Sequence, residues 1–174
     1  SMTWSLVDGV LTISGEGEME DYGTDSGGGM EIAPWRITAD DITEVKIEEG
    51  VTSIGEFAFY QCGLSKIEIP ESLDSIGRGA FMECGSLENV ELPEGLTSIG
   101  TEAFYDCGNL RGITIPGGVT TIGVWTFGEC VSLESLELSE GLISIEDSAF
   151  CGCSNLVSVK IPNSVETIGI TAFQ

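Results

Sequence analysis

The sequence predicts a β-rich α/β solenoid, a chain wound into stacked coils, and three observations point to that fold class. The dipeptide Ile-Gly recurs five times between residues 54 and 169. A phenylalanine follows it in step in every unit, and a cysteine follows the phenylalanine in all units but the last. The units are 22 residues apart at the first interval and 23 residues apart at each later one. Independent columns that share one period indicate stacked structural repeats.

One unit, residues 87–107, shows how the apolar positions predict its elements. Apolar and polar residues alternate over 87–92, as they do in a half-buried strand, and a proline then ends the strand. Residues 96–99 predict an extended segment, and Gly100 is expected to permit a tight corner. Residues 103–107 have the apolar spacing of one helical turn. Such a unit cannot bury its apolar side alone, so we expect it to stack on its neighbours.

The unit pattern L-x-x-I-x-I-P-x-x-V-x-x-I-G-x-x-A-F-x-x-C resembles the BspA-like (TpLRR-type) leucine-rich repeat. Residues 110–130 and 156–173 carry it, and residues 4–35 resemble the segment that precedes such repeats in bacterial surface proteins. The resemblance implies a parallel concave sheet with short helical turns on its back. It also implies a secreted or cell-surface bacterial protein that adheres to host proteins or other cells. Three residues depart from the pattern at local turns: Ser139, Glu146 and Thr126.

The chain is predicted to divide into a small N-terminal β cap, residues 1–42, and a leucine-rich repeat solenoid, residues 43–174. The solenoid has about six units, the last of them incomplete. Ser1-Met2 is interpreted as an expression-vector scar. Residues 6–14 predict a hairpin, and residues 21–31, rich in glycine and acid, predict a mobile loop.

Two features of the N-terminal segment have alternative interpretations. Trp4 and Trp35 are expected to cover the open end of the first repeat, and carbohydrate binding is the alternative. A group of acidic residues offers Ca²⁺ ligands, but its spacing matches no calcium loop, so a solvated acidic loop is the favoured interpretation. The group consists of Glu16, Glu18, Glu20, Asp21 and Asp25. No metal and no cofactor are therefore predicted.

Composition excludes several classes of function. The chain has 29 acidic residues, 6 Lys plus Arg and no His, which gives a formal charge of −23. Six scattered cations cannot form the basic face that nucleic acid or an anionic membrane surface needs. No apolar run approaches the roughly 20 residues of a membrane-spanning helix, and histidine-based catalysis is excluded. A partner is expected to be a neutral or basic protein or glycan, bound without direct membrane insertion.

The cysteines are predicted to be free rather than paired. Five of the six share one column, so they are expected to stack at about the 4.8 Å spacing of parallel strands. A disulfide needs converging Cβ atoms, which a parallel stack does not offer. Buried free cysteine behaves as a small apolar residue. Cys151 lies in a variable column and is expected to be exposed and reactive.

Two outward columns of the predicted concave sheet are the main candidates for partner binding. One column contains Lys46, Glu68, Glu91, Thr114, Glu137 and Lys160, and the other contains Glu44, Lys66, Asn89, Gly112, Ser135 and Ser158. The opposite charges in Lys46–Glu68 and Glu137–Lys160 are expected to favour strand pairing. Gly112 and Thr114 are expected to leave a shallow bare spot in the middle of the sheet. The alternative is that these are ordinary solvated sheet residues.

Aromatic residues on the back of the solenoid are a second candidate surface. Phe57 and Trp125 share one otherwise small or polar column, and Tyr60 and Tyr105 share another. Aromatic side chains often anchor a protein partner. They could equally fill gaps between the coils.

These patterns favour a non-enzymatic recognition or adhesion module, monomeric or weakly dimeric end to end. A structural stalk that presents another domain is the alternative. A glycoside-active enzyme is a distant third, because Glu68 and Glu91 are expected roughly 5 Å apart, near the separation found in retaining glycosidases. An open sheet has no apolar pocket to raise the pKa of a general acid, so the chain is not predicted to be an enzyme.

Overall fold

The computed structural model of the chain describes residues 1–24 and 30–174. Within these residues there are thirteen short strands, β1 to β13, and one 3₁₀ helix, Arg36–Asp41. The strands are β1 (Thr3–Val7), β2 (Val10–Ser14), β3 (Gly17–Glu18), β4 (Glu44–Ile47), β5 (Val51–Ile54), β6 (Lys66–Glu68), β7 (Ser75–Ile76), β8 (Ser98–Ile99), β9 (Gly112–Ile115), β10 (Thr121–Ile122), β11 (Ser135–Leu138), β12 (Ser144–Ile145) and β13 (Thr167–Ile168).

Each coil adds a strand to one or both of two parallel faces. The front sheet has the order β1-β2-β4-β6 and continues through Asn89, which bridges Lys66 and Gly112, to β9 and β11. The side face consists of β3-β5-β7-β8 followed by β10-β12-β13. Apart from the antiparallel β1, all these pairings are parallel. The predicted solenoid of parallel, stacked repeats is therefore confirmed.

The third face, the back, is built of consecutive turns rather than regular helix. In residues 55–62, the even-numbered amides from Ala58 to Cys62 donate to carbonyls three residues earlier. The odd-numbered amides from Phe57 to Gln61 donate instead to carbonyls of the next coil. An α-helix uses every interior amide within itself. Because every second amide here joins two coils, the predicted helical turns take the form of tight turns.

A stack of phenylalanine rings runs through the core along the solenoid axis. Neighbouring rings have centroids 5.1–5.3 Å apart and planes within 14° of parallel. Five of the six rings are at most 1% exposed, whereas Phe173 in the last coil is 39% exposed. The stack consists of Phe59, Phe81, Phe104, Phe127, Phe150 and Phe173. One ring per coil thus sets the contact between neighbouring coils.

The N-terminal segment forms an irregular first coil. β2 and β3 pair in parallel with β4 and β5, so they extend both faces of the solenoid. Trp35 stacks on Phe59 with ring centroids 5.8 Å apart, and its Nε1 donates to the Ala58 carbonyl at 2.8 Å. The predicted hairpin is present as β1 and β2, and β1 closes the edge of the front sheet. The predicted loop at residues 21–31 lies partly outside the described residues.

The glycine of the Ile-Gly dipeptide is required for a different reason from the one expected. Gly100 does not have a positive φ, so no unusual corner conformation demands it. A Cβ at this position would lie 2.5 Å from the amide nitrogen of Arg78 in the preceding coil. Gly77 and Gly169 would meet backbone nitrogens at 2.6 and 2.4 Å. Close approach between coils therefore selects glycine here.

Candidate functional site

The front sheet presents exposed side chains above a buried layer. Buried and exposed residues alternate along β4, β6, β9 and β11. The strand register places Lys46 opposite Glu68 and Thr114 opposite Glu137, as the column pattern requires. Lys160 and Ser158 are exposed but lie beyond β11, in a part of the last coil without a front strand.

Lys66 dominates the charge pairing at the N-terminal end of this face. Its Nζ lies 2.8 Å from Glu44 Oε1 and 2.9 Å from Glu68 Oε1. Hydrogen bonds to these carboxylates raise the pKa of Lys66, and the hydrogen bond from Lys66 lowers the pKa of Glu68. Lys46 contributes only a smaller Coulombic effect to Glu68. Lys66, rather than the expected Lys46, therefore forms the ion pair with Glu68.

The second expected charge pair, Glu137 with Lys160, is not formed within the residues that the structure describes. The Thr114 hydroxyl Oγ1 donates to Glu137 Oε2 at 3.4 Å instead. The parallel ladder that would place Lys160 beside Glu137 ends with β11, which explains the difference.

The middle of the front sheet is a shallow depression of about 450 Å³. Asn89, Glu91, Gly112, Thr114 and Ser135 are among the residues that line it. The sheet narrows here because the coil between β6 and β9 contributes only an isolated bridge residue. A Cβ on the central glycine would come no closer than 3.5 Å to its neighbours, so the floor has room for a side chain.

Three polar side chains around this depression are unpaired within the described residues. Across residues 1–24 and 30–174, the side chains of Asn89, Glu91 and Ser135 form no hydrogen bond or ion pair. All three residues are exposed. The depression coincides with the bare spot predicted at Gly112 and Thr114.

The carboxylates of this face do not have the electrostatics of a glycosidase pair. A general acid needs an apolar environment that raises its pKa. Glu68 is exposed, and Lys66 lowers its pKa. The geometry therefore gives no support to the glycoside-active alternative.

Four aromatic residues lie on the back in two edge-to-face pairs. The ring centroids of Phe57 and Tyr60 are 6.1 Å apart, with planes at 80°. Those of Tyr105 and Trp125 are 5.7 Å apart, with planes at 84°. All four side chains are partly exposed, so each pair leaves aromatic surface open to solvent.

Glycines lie beneath both pairs. A Cβ on Gly79 would lie 2.4 Å from the Phe57 ring, and one on Gly128 would lie 2.3 Å from the Trp125 ring. Phe57 and Trp125 also have positive φ values, 52° and 57°, a conformation that costs a non-glycine residue about 1–2 kcal/mol. The rings therefore fill gaps between coils, as one sequence-based interpretation expected, and still expose part of their surface.

The cysteine column is buried and free, as predicted. Cys62, Cys84, Cys107, Cys130 and Cys153 are buried, whereas Cys151 is partly exposed. Four thiols donate to the carbonyl of a phenylalanine in the preceding coil at 3.0–3.2 Å. Burial raises the pKa of Cys62 to about 11 and that of Cys153 to about 12. The column was visible in the sequence, but its carbonyl partners were not.

The N-terminal end holds a cavity of about 370 Å³ that the sequence did not predict. Trp4, Tyr22 and Trp35 line it, and the first two make edge-to-face contacts with Trp35 at 6.1 and 5.4 Å. Trp35 is buried, while Trp4 is 44% exposed. These contacts support the covering role expected of the tryptophans, with Trp35 as the inner member.

Neither a cluster of metal-binding side chains nor a membrane-spanning helix is found in the part of the chain that the structure describes. Residues 1–24 and 30–174 contain no group of three or more acidic, cysteine or histidine side chains arranged to hold a metal ion. Asp25 of the acidic group lies outside the described residues. No helix within them is long and apolar enough to cross a bilayer.

Comparison with known proteins identifies relatives of the whole repeat array. A family model described as the BspA type leucine rich repeat region matches in six copies, over residues 38–130 and 74–174. A search of curated proteins finds no match.

Solved structures of bacterial proteins are also similar to the chain. A leucine rich cell surface protein from Faecalibacterium prausnitzii is 31% identical, with a TM-score of 0.75, and the match covers 99% of this chain and 50% of that one. The leucine rich repeat protein of T. pallidum, TpLRR, is 29% identical, with a TM-score of 0.73 and coverages of 97% and 83%. A leucine-rich repeat protein from Bacteroides ovatus is 30% identical, with a TM-score of 0.63 and coverages of 97% and 54%. The chain thus spans about half the length of the first of these relatives.

Proposed function

Because the chain belongs to the BspA-type leucine-rich repeat family, we propose that it is a non-enzymatic recognition module that binds a protein partner through its front sheet. Display at the cell surface is part of the proposal. The F. prausnitzii relative, described as a cell surface protein, supports that location. Adhesion to host or bacterial proteins is the role that such a surface module would perform.

The observation that carries the proposal is the depression at Gly112. It combines open floor space with exposed polar side chains that have no partner within the described chain, those of Asn89, Glu91 and Ser135. Protein interfaces need such hydrogen-bonding groups around a surface that can be desolvated. Asn89 bridges Lys66 and Gly112, and Ser135 lies on β11, so the backbone beneath these two side chains is held in the sheet, which lowers the ordering cost of binding.

The charge of the chain limits the chemistry of the partner. A net charge of −23 repels acidic proteins, does not oppose neutral ones and attracts basic ones. We therefore expect the affinity to fall as the salt concentration rises, mostly through a slower association rate.

The test is a binding screen with two matched glycine variants. Immobilised protein is exposed to host matrix proteins, a glycan array and co-resident bacterial cells. Gly112→Gln fills the depression without adding charge. Gly108→Gln is the control, because a Cβ there meets no atom within 4 Å and the residue belongs to no strand of the front sheet. For any partner found, Gly112→Gln is expected to weaken binding by about tenfold or more, as loss of a well-packed contact does, while the control binds like wild type.

Two results would count against the proposal. One is a screen in which no protein binds above an albumin control. The other is a partner whose affinity is equal for both variants. A glycan that binds and is blocked by Gly112→Gln would replace the protein partner with a glycan at the same surface. Turnover of a glycan would revive the enzyme alternative.

A further inference from the structure

The first aromatic pair on the back already holds two arginines of the chain itself. The guanidinium carbon of Arg36 lies 4.5 Å from the centre of the Tyr60 ring. That of Arg78 lies 5.6 Å from the centre of the Phe57 ring. Both distances are within the range of cation–π attraction. The solenoid thus shows how its back face binds a guanidinium group.

Each of these arginines is also held by hydrogen bonds beside the ring. Arg36 donates through Nη1 to the Tyr60 carbonyl and through Nη2 to Gln61 Oε1 at 2.6 Å. Arg78 donates through Nε and Nη2 to Glu102 Oε2, both at 2.9 Å. An aromatic surface plus an adjacent acceptor is therefore the unit that recognises arginine here.

A second pair uses the same two columns further along the solenoid, but its members come from neighbouring coils rather than from one coil. Tyr105 occupies the column of Tyr60, Trp125 occupies the column of Phe57, and the acceptor that follows Tyr105 is the carboxylate of Asp106. All six lysines and arginines of the chain lie in the described residues, and none of them is placed over this second pair. A second edge-to-face aromatic pair, built across two coils, thus lacks a cation such as the first pair holds.

Negative charge surrounds the second pair. Within the described residues, the carboxylates of Asp106 and Glu129 form no ion pair or hydrogen bond. Burial raises the pKa of Tyr105, and four carboxylates raise it further, those of Glu129, Asp106, Glu83 and Glu102. A cation placed over these rings would therefore be attracted both by the ring faces and by the carboxylates of Asp106 and Glu129, which are unpaired within residues 1–24 and 30–174.

We propose that the Tyr105–Trp125 pair is a docking platform for an arginine side chain of a basic partner. The platform would hold the guanidinium plane over the rings, with Asp106 or Glu129 accepting its hydrogen bonds. Arginine suits this platform better than lysine, because its planar group stacks on aromatic rings and presents several donors in a fixed geometry. The proposal rests on the recognition role proposed above and specifies a second contact surface and the chemistry of its partner.

The test measures binding of fluorescein-labelled tetra-arginine and tetra-lysine peptides by fluorescence anisotropy, at about 150 mM NaCl to screen diffuse attraction. The test variant is Tyr105→Met/Trp125→Ser. Its replacements are residues that the same columns already carry at Met82 and Ser148. The control is Tyr60→Met/Phe57→Ser, which removes the pair that the chain's own arginines occupy. Thermal unfolding followed by circular dichroism checks that each variant folds.

Wild type is expected to bind tetra-arginine about threefold or more tighter than tetra-lysine, in the range of cation–π energies. The test variant should lose about fivefold in tetra-arginine affinity and the preference for arginine, whereas the control should keep both. Asp106→Asn should weaken binding with the rings intact. Equal losses in both double variants, or an unchanged affinity in the test variant, would overturn the proposal and leave only diffuse charge attraction.

These outcomes are independent of the front-sheet test. Gly112 lies on another face of the solenoid, so the Gly112→Gln variant should bind tetra-arginine like wild type. Ring-dependent peptide binding without any front-sheet partner would sustain the platform and contradict the proposed function. The reverse result would contradict the platform alone.

Discussion

Gly100 shows how one missing Cβ permits the coils to stack. The backbones of neighbouring coils approach so closely that a Cβ would lie 2.5 Å from a nitrogen of the coil before it. Glu146 occupies the same column one repeat before Gly169, and its carboxylate accepts a hydrogen bond from the Val124 amide at 3.2 Å. The column therefore accepts a side chain at this one repeat, where the carboxylate is held by an amide of the preceding coil.

Gly100→Ala is expected to destabilise the protein by about 1–3 kcal/mol, the usual cost of forcing extra volume into a packed site. Gly108→Ala is the control, because its Cβ would meet nothing within 4 Å and its φ is not positive. Urea denaturation followed by circular dichroism measures both. If the two variants had the same urea denaturation midpoint, the close approach of neighbouring coils would not be the reason for glycine at position 100.

The buried thiols predict a loss of stability at alkaline pH. A raised pKa means that folding favours the protonated thiol. The thiol's contribution to the free energy of unfolding is therefore complete below its pKa in the unfolded chain, and it is lost as the pH rises towards the pKa in the folded protein. For Cys62 this loss occurs between pH 9.0, the ordinary pKa of the thiol, and about pH 11, its pKa in the folded protein. Each buried thiol in such a window lowers the free energy of unfolding by up to about 1.4 kcal/mol per pH unit.

Urea denaturation at several pH values between these limits is expected to show this decline, with a shallower slope for Cys62→Ala than for wild type. Cys151→Ala is the comparison, since Cys151 is only partly buried. A slope that is the same in all three proteins would contradict the assignment to Cys62.

At the scale of the element, hydrogen bonds between coils determine what the back of the repeat becomes. The apolar spacing of residues 103–107 is that of a helical turn, and this spacing is present. The amides of Phe104 and Asp106, however, donate to Thr126 and Gly128 in the next coil. Apolar periodicity reports which side chains point inwards, but it does not report where the amides donate, so the turn geometry could not be read from the sequence.

The phenylalanine stack predicts position-dependent mutational costs along the solenoid. Phe104→Ala removes a fully buried ring with a stacked neighbour on each side and should cost about 3–5 kcal/mol. Phe173→Ala should cost clearly less, because that ring is 39% exposed and stacks on one ring. Thermal and urea denaturation provide the comparison. Equal costs at the two positions would show that the ring stack does not hold the coils together.

At the scale of the whole molecule, charge opposes the packing of the core. No acidic residue is buried in the described part of the chain, and the excess acid gives the chain a net charge of −23. Self-repulsion of this size keeps proteins soluble but destabilises the compact state. The three ion pairs found in the described residues all lie in the N-terminal part of the repeat array and leave most carboxylates without a cation.

Salt is therefore expected to stabilise the protein. Raising NaCl from about 10 to about 150 mM shortens the screening length from roughly 30 to 8 Å, so the Tm should rise by a few degrees. The control is the same salt change near the pI of 4.1, where the net charge is small and the Tm should hardly move. A Tm that is independent of salt at neutral pH would contradict a stability limited by self-repulsion.

The sequence by itself determined the repeat length, the inward columns, the free cysteines and the face of the candidate front columns. It could do so because each buried position of the repeat requires one type of residue. With a period of 22 to 23 residues, that residue type recurs in each of the six repeats and can be recognised in the sequence. Only the tertiary structure decided that the N-terminal segment extends both sheets, that Lys66 takes the charge contact expected of Lys46, and that the glycine column serves close approach. It also separated the aromatic pair occupied by arginine from the one that is not. These features depend on distances between coils, and a linear pattern records which residues recur without recording how closely their backbones and charges meet.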